Sequence, residues 1–154
     1  MSHSRLSKEI LQNAIQKEEL TRAFYRRLAE KVSNPSVREP LLQMAEEEQQ
    51  HKDLLLQRLR KEYDTDFTPR DISGTDKYLR AEQEITSHEH VLVVLRTGMQ
   101  LEDEAIDFYR EQLDHTDQPD DVELLRQLID FERGHREWLE NEYKKASTSS
   151  TWLP

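Results

Sequence analysis

The feature that most constrains this chain is an internal repeat at an offset of 84 residues. When residues 14 to 59 are laid over residues 98 to 143, twelve positions are identical. Roughly three identities are expected from average composition, so the repeat is real and predicts two similar halves. The first members of the identical pairs are Gln16, Glu18, Phe24, Tyr25, Arg26, Pro35, Glu39, Leu41, Gln43, Glu48, His51 and Leu55.

Each copy carries a glutamate that is followed, thirty residues later, by a Glu-x-x-His motif. One such motif alone is weak, because a Glu-x-x-His pair arises by chance about once in a chain of this composition. The repeat makes the pattern specific, since its identities fall on the candidate metal ligands. These are Glu18, Glu48 and His51 in the first copy and Glu102, Glu132 and His135 in the second.

Composition and periodicity predict an all-α fold. The chain has 154 residues with only three glycines and five prolines, and 34% of its residues are hydrophobic against 35% charged. Such a low hydrophobic share suits long helices that each bury one stripe, and the length suits one domain. We predict helices from near Ser4 or Ser7 to about Val32, from Pro35 to about Tyr63, over residues 86–114 and over residues 120–146.

The connections between these helices predict an antiparallel four-helix bundle. Tight turns before Pro35 and Pro119 join the helices of each hairpin. Residues 64–85 are longer than two antiparallel neighbours require, and they predict a crossover between the second and third helices. We assign residues 1–146 to the bundle and residues 147–154 to a flexible tail. For Trp152 and Leu153 in this tail we expect self-docking or disorder rather than docking on a partner.

The charge and residue content exclude several classes of function. The net charge of −10 disfavours nonspecific binding to nucleic acid or anionic membranes, and it fits either cation binding or solubility alone. The chain contains no cysteine, which excludes thiolate metal sites and disulfides within it. It shows neither a signal-peptide pattern nor a membrane-spanning run, so we expect a cytoplasmic protein. The apolar run over residues 91–95 exceeds one buried stripe and predicts a homodimer contact.

Helix geometry predicts that the six candidate ligands converge. The two helices of each hairpin rise about 1.5 Å per residue, and the stretches between the turn and the candidate ligands have similar lengths. The Glu of the first helix and the Glu-x-x-His motif of the second therefore lie at similar heights along the bundle. Residues three apart share one helix face. Two facing hairpins then gather four carboxylates and two imidazoles, as in dinuclear sites of four-helix bundles. We predict that Glu18 and His51 bind one metal, Glu102 and His135 bind the other, and Glu48 and Glu132 bridge both.

Charge balance favours a pair of divalent metal ions at this centre. Four buried carboxylates repel one another and take protons when no metal neutralises them. Oxygen and nitrogen ligands with open positions favour iron, with manganese or zinc as alternatives. Tyr25 and Tyr109 are expected either to hydrogen-bond a ligand carboxylate or to pack in the core. The remaining nearby acids and imidazoles are expected to be solvated: Glu19, Glu46, Glu47, Asp103, Glu104, His88, His90 and His115.

These motifs resemble those of the ferritin-like superfamily, and specifically the rubrerythrin-like group. The resemblance covers about residues 8–146 and rests on Glu-x-x-Thr/Ala-x-x-Phe-Tyr in the first helix of each hairpin and Glu-x-x-His in the second. It implies a four-helix bundle with a long crossover and a non-haem diiron centre. Related activities include peroxide reduction, ferroxidation and oxygen-dependent oxidation.

Departures from two related groups narrow what the resemblance implies. Ala105 stands where rubrerythrins proper carry an additional carboxylate, and the absence of cysteine excludes a rubredoxin-like electron donor in this chain. Gln49 stands where the bacterioferritin family places a haem-ligating methionine, and no fifth helix is expected. We therefore expect neither haem nor a storage cage.

The leading hypothesis is a rubrerythrin-like peroxidase that reduces hydrogen peroxide or O₂ with electrons from an external donor. A ferroxidase or iron-handling protein is the alternative enzyme. A redox-silent metal-binding bundle, or a helical interaction module without metal, would be a non-enzymatic alternative.

Overall fold

Four long helices make up the structure, a computed structural model that describes residues 5–69, residues 88–149 and residue 152. Helix α1 spans Lys8–Lys31, α2 spans Pro35–Tyr63, α3 spans His88–His115 and α4 spans Pro119–Thr148. No strand occurs in these described ranges. The predicted all-α four-helix class is confirmed. Most of the predicted crossover lies outside the described residues, and residues 64–69 within it are not helical.

Local sequence signals set the helix starts. The Ser7 hydroxyl accepts a hydrogen bond of 3.1 Å from the backbone N–H of Ile10 and caps α1. The Asn34 side chain accepts one of 3.0 Å from the N–H of Ser36 and caps α2, whose first residue is Pro35. Pro119 is likewise the first residue of α4, a position that suits proline because it has no N–H to leave unpaired in the first turn. The other predicted boundaries hold to within about two residues, taking Ser7 as the start of α1, whereas the predicted start of the third helix at residue 86 lies outside the described residues.

The two copies of the repeat form two helical hairpins. Helix α1 packs along α2, and α3 packs along α4. Between the hairpins lie two apolar clusters, and repeat partners fall in opposite clusters. Leu41 belongs to the first and Leu125 to the second, whereas Leu55 belongs to the second and Leu139 to the first. The pseudo-twofold relation that exchanges the hairpins therefore also exchanges the clusters, and its axis passes between them.

The apolar run over residues 91–95 packs inside this chain. Val91, Val94 and Leu95 are 0% exposed and belong to the first apolar cluster, while Val93 is 43% exposed. Using this run as the reason for a homodimer was wrong, because three of its five residues fill the core of the bundle. The homodimer stays a prediction without that support.

The C-terminal part of α4 carries a buried tryptophan contact. Trp152 is buried, and its Nε1–H donates a hydrogen bond of 3.2 Å to Oε2 of Glu142. Its ring lies 6.5 Å from that of Trp138. The other residues of the predicted tail beyond Ser149 lie outside the described residues. None of the helices in the described part of the chain has both the length and the apolar content needed to cross a membrane.

Candidate metal centre

The six predicted ligands meet in the middle of the bundle, between the two apolar clusters. None of them is more than 4% exposed. Burial of this many carboxylates is costly unless cations or protons neutralise them. Glu18 lies on α1, Glu48 and His51 on α2, Glu102 on α3, and Glu132 and His135 on α4.

These side chains form two overlapping groups of four. In each group, one candidate ligand atom per residue lies within 4.8 Å of the others. Glu48 and Glu132 belong to both groups, which is the position that a bridging carboxylate needs. The first group adds Glu18 and His51, and the second adds Glu102 and His135.

Each imidazole points its Nδ1 atom at a carboxylate from the opposite hairpin. Nδ1 of His51 lies 3.2 Å from Oε1 of Glu132. Nδ1 of His135 lies 2.8 Å from Oε1 of Glu48. The two contacts are related by the repeat, so both rings direct Nδ1 to the centre and carry Nε2 on their outer side.

The centre fits a pair of metal ions because it holds polar atoms that nothing else satisfies. Eight side-chain atoms of the six residues are buried without a hydrogen-bond partner: Nδ1 of both histidines, Nε2 of His51 and at least one oxygen of every glutamate. Among the described residues, no other buried side-chain nitrogen or oxygen lacks a partner. Leaving each such atom unpaired costs about 1–3 kcal/mol, whereas a bound metal would satisfy most of them. Carboxylate oxygens and imidazole nitrogens are ligands for iron, manganese and zinc.

Burial and mutual repulsion change the protonation of the glutamates. Desolvation raises the pKa of Glu132 to about 8. Desolvation, followed by the charges of neighbouring glutamates, raises the pKa of Glu48 and Glu102 well above the usual value. Burial acts in the same direction on Glu18, but its contacts with Glu48 and His51 outweigh burial and lower its pKa. Without metal, the centre therefore holds protons in place of cations.

The histidine on α4 is suited to metal binding as a neutral ligand. Burial is the main influence on His135 and lowers the pKa of its imidazole. A metal ligand has to offer a free nitrogen lone pair, so a neutral ring is the form that binds.

Two tyrosines form hydrogen bonds across the bundle to Glu18 and Glu102, the glutamates that each belong to only one of the two groups. The Tyr25 hydroxyl donates a hydrogen bond of 2.7 Å to Oε1 of Glu102, and the Tyr109 hydroxyl donates one of 2.5 Å to Oε1 of Glu18. Burial, and then the charge of the glutamate it contacts, raises the pKa of each tyrosine well above 10.0. Both hydroxyls therefore stay protonated and act as donors. In each glutamate, the other oxygen, Oε2, has no hydrogen-bond partner.

Comparison with known proteins shows the family to which this chain belongs. The family model named Rubrerythrin matches residues 9–143. The chain belongs to the Rubrerythrin family. This membership confirms the resemblance that the motifs indicated, and together with the buried Glu/His cluster it supports metal binding at this centre. A comparison with curated proteins finds no match.

Solved structures share the fold of this Rubrerythrin-family chain. A hypothetical protein from Pyrococcus furiosus is 25% identical, with a TM-score of 0.76 over 96% of this chain and 92% of that one. A protein from Thermotoga maritima, described as a ferritin-like diiron-carboxylate protein, is 23% identical, with a TM-score of 0.73 over 95% of this chain and 99% of that one. The predicted ferritin-like four-helix bundle is thereby confirmed.

The two imidazoles of this Rubrerythrin-family centre have different outer neighbours. Nε2 of His135 lies 3.5 Å from Oε2 of Glu47, whose side chain is 19% exposed. The ring of His51 instead packs edge to face against Phe131, with 4.9 Å between the ring centroids. The expectation that Glu47 is simply solvated was wrong, because its carboxylate turns inward to His135.

The contact of Glu47 was missed because it crosses from α2 to α4. Helical spacing within α2 places Glu47 off the face that carries Glu48, and it says nothing about a partner on the other hairpin. The repeat did contain a signal, since Glu47 aligns with Phe131 directly before the identical pair Glu48 and Glu132. A charged residue aligned with an aromatic one beside identical ligands indicates that the two halves have diverged there.

A pocket in the protein surface reaches the centre on the side of His135. It lies between α2 and α4 and has a volume of about 450 Å³. Gly134 lines the pocket, and a Cβ atom built at this position meets no other atom within 4 Å. A small molecule in the pocket would contact the carboxylate of Glu47 and the ring of His135. The pocket is lined by Pro40, Gln43, Met44, Glu47, Asp130, Phe131, Gly134, His135 and Trp138.

Proposed function

We propose that this chain is a non-haem diiron oxidoreductase that reduces hydrogen peroxide or O₂, as a rubrerythrin-like peroxidase does. The observation that supports this most is the buried pair of overlapping groups that share Glu48 and Glu132. Family membership adds the expectation that the metal is iron. The metal identity, the oxidant and the reductant are all part of the proposal.

Two iron(II) ions, when bound, would supply one electron each for a two-electron reduction. Peroxide reduction then balances as H₂O₂ + 2 H⁺ + 2 e⁻ giving two molecules of water. The residues that would hold the pair are those of the two groups, with Glu48 and Glu132 common to both ions. The remaining ligands would be Glu18 and His51 for one ion and Glu102 and His135 for the other.

The tyrosines have a positioning role in this proposal. Each hydroxyl binds Oε1 of a glutamate that belongs to one group and leaves Oε2 of that carboxylate without a hydrogen bond. One oxygen is therefore held by the protein, and the other is offered to a metal. This arrangement fixes the orientation of Glu18 and Glu102 before any metal arrives, which lowers the entropic cost of binding.

The oxidant is proposed to reach the centre through the pocket beside Gly134. The six ligands are at most 4% exposed, so a route for a small molecule is needed. The pocket is lined by the candidate ligand His135 and by Glu47, so a molecule inside it lies next to the centre. Its volume of about 450 Å³ is larger than hydrogen peroxide requires.

The electrons for repeated turnover are proposed to come from a separate donor. The sequence has no cysteine, so it holds no cysteine-ligated iron that could deliver electrons from within the same chain. We further propose a cytoplasmic location, where reduced electron carriers are available.

Stopped-flow mixing of the anaerobic protein, loaded with two iron(II) ions per chain, with hydrogen peroxide tests the function. We expect rapid oxidation of two iron(II) ions for each peroxide consumed. The Glu48→Gln, Glu132→Gln double variant should lose this rapid phase, whereas Glu46→Gln, which removes a charge from an exposed neighbouring position, should keep it. The proposal is wrong if the parent protein reacts no faster than the double variant.

Mixing with O₂ separates the enzymatic alternatives. A ferroxidase would continue to oxidise many iron(II) ions per centre and release the product, whereas the proposed reaction stops at two ions until a reductant is added. A redox-silent bundle would bind metal and show no reaction with either oxidant.

A further inference from the structure

The duplicated motif has diverged at the position that precedes each shared glutamate. Glu47 comes directly before Glu48, and Phe131 comes directly before Glu132. Because the two hairpins face each other, each of these residues lies against the histidine of the opposite hairpin. Glu47 approaches His135, and Phe131 approaches His51.

The imidazole of His135 has an acceptor for its outer nitrogen. Oε2 of Glu47 lies 3.5 Å from Nε2, at the outer limit of hydrogen-bond distance. When Nδ1 binds a metal, a neutral ring must carry its proton on Nε2. A carboxylate that accepts this proton's hydrogen bond fixes the tautomer and ring orientation and makes the histidine a more basic ligand. Glu47 is thus a positioning residue for His135.

The imidazole of His51 lacks this support. Its Nε2 atom is buried and finds no hydrogen-bond partner in the described parts of the chain. Phe131 covers the ring with a centroid distance of 4.9 Å and offers no acceptor. Binding a metal through Nδ1 would therefore leave a buried Nε2–H group unpaired, which is unfavourable.

We propose that the two metal positions are inequivalent, and that the position formed with Glu102 and His135 fills first and holds its ion more tightly. The position formed with Glu18 and His51 then holds the weaker and more exchangeable ion. Residues that support a metal-bound histidine typically change metal affinity by about 10–100-fold. The inference rests on metal binding at the proposed centre but does not depend on peroxide reduction.

The order of filling is tested with cobalt(II), which binds the same ligand types without reacting under anaerobic conditions. Two bound dications repel each other, so two binding steps would appear even in a symmetric centre. The deciding measurement is therefore anomalous diffraction from crystals loaded with half an equivalent of cobalt(II) per centre. We expect the occupancy beside His135 to be about tenfold that beside His51.

Exchanging the two diverged residues provides the matched comparison. The double variant Glu47→Phe, Phe131→Glu should reverse the occupancies, because the acceptor then serves His51. Glu47→Gln, which keeps the shape of the side chain and removes its charge, should weaken the tighter step in a chelator-competition titration. Glu46→Gln removes a charge one residue away and should leave both steps unchanged. Circular dichroism without metal verifies that each variant folds.

Equal occupancies in the half-loaded parent protein would overturn the inequivalence, as would a tighter step that is unchanged in Glu47→Gln. Either result leaves the proposed peroxide reaction intact. If neither position binds cobalt(II) or iron(II), this inference and the proposed function both fail.

Discussion

The hydroxyl of Tyr109, on α3, donates a hydrogen bond of 2.5 Å to Oε1 of Glu18, on α1, and leaves Oε2 of that carboxylate without a partner. Tyr25 and Glu102 repeat this relation with the helices exchanged. The two bonds link the hairpins directly at the polar centre, and the ring of each tyrosine belongs to one of the two apolar clusters that flank this centre. They therefore contribute both to the stability of the bundle and to the orientation of two candidate ligands.

Removing either hydroxyl should destabilise the metal-free protein. In Tyr109→Phe or Tyr25→Phe, a buried carboxylate oxygen loses its donor, which costs about 1–3 kcal/mol. The free energy of unfolding from urea denaturation measures the loss. Tyr143→Phe, at a half-buried ring near Arg96, is the control and should change stability by less than about 0.5 kcal/mol. Equal effects in all three variants would show that the cross-bundle bonds do not contribute.

The metal-free protein should become less stable as the pH rises above neutrality. The pKa of Glu132 is about 8 in the folded protein against 4.5 ordinarily. Its contribution to stability is therefore complete below about pH 4.5 and is lost as the pH rises through about 8. Glu48 and Glu102 shift in the same direction. Glu18 shifts oppositely, so its contribution is lost only as the pH falls below the usual glutamate range.

Urea denaturation of the chelator-treated protein at several values between pH 6 and pH 9 measures this dependence. The free energy of unfolding should fall across the series, and Glu132→Gln should flatten part of the slope. The metal-loaded protein should show a weaker dependence, because bound cations replace the protons. If the free energy of unfolding of the metal-free protein does not change with pH, the buried glutamates are not protonated as described.

Local signals made most of the fold predictable from the sequence. Helix starts depend on short-range chemistry such as the Ser7 cap and the prolines at 35 and 119, so their positions held. The apolar run over residues 91–95 was misread, although Val91, Val94 and Leu95 have the i, i+3, i+4 spacing of one buried face. That spacing, rather than the length of the run, was the informative feature.

The repeat also predicted which side chains converge at the centre, because equal helix lengths return the ligands to similar depth. The partners that cross between hairpins could not be predicted in the same way. Tyr25 pairs with Glu102 and Glu47 approaches His135, and both contacts depend on how the two hairpins are rotated against each other. Spacing within one helix carries no information about that rotation.

The two glycines in the described helices should respond differently to alanine. At Gly134 a Cβ atom meets nothing within 4 Å, so Gly134→Ala should raise the free energy of unfolding by about 0.5–1 kcal/mol through helix propensity. At Gly98 it would lie 3.1 Å from Leu139 and 3.2 Å from Phe24. This overpacking costs about 1–3 kcal/mol, so Gly98→Ala should be neutral or destabilising. Denaturation that ranks Gly98→Ala as the more stable variant would contradict the packing between α3, α4 and α1.

Shared and unshared glutamates should differ in how many metal ions their loss removes. Glu48 belongs to both groups and Glu18 to one. We therefore expect Glu48→Gln to weaken both zinc(II) binding steps and Glu18→Gln to weaken one. Chelator competition and metal content after dialysis measure this difference. The increase in the free energy of unfolding caused by zinc should decrease in the same order, because free metal at 100 times its Kd adds about 2.7 kcal/mol per site.

Glu46→Gln is the control for loss of one negative charge near the centre and should bind zinc like the parent. If Glu18→Gln and Glu48→Gln lose the same number of ions, the shared position of Glu48 has no consequence for binding. The bridging assignment would then be wrong.

Filling the pocket beside His135 should slow bulky oxidants more than small ones. Gly134 lines the pocket and has no neighbour within 4 Å of an added Cβ, so Gly134→Leu should place a side chain in the pocket without disturbing the core. We expect the reaction of the iron(II)-loaded protein with tert-butyl hydroperoxide to slow by about tenfold or more, because steric discrimination of this size is typical of a narrowed pocket. Hydrogen peroxide should be affected much less.

The repeat supplies a matched control for this variant, because Gln50 is the equivalent of Gly134 in the first copy and is likewise exposed. Gln50 does not line the pocket beside His135, so Gln50→Leu should leave both reactions unchanged. Stopped-flow rates for the two oxidants with the two variants form a complete comparison. Equal slowing by Gly134→Leu and Gln50→Leu, or equal slowing of both oxidants, would show that the oxidant does not enter beside His135.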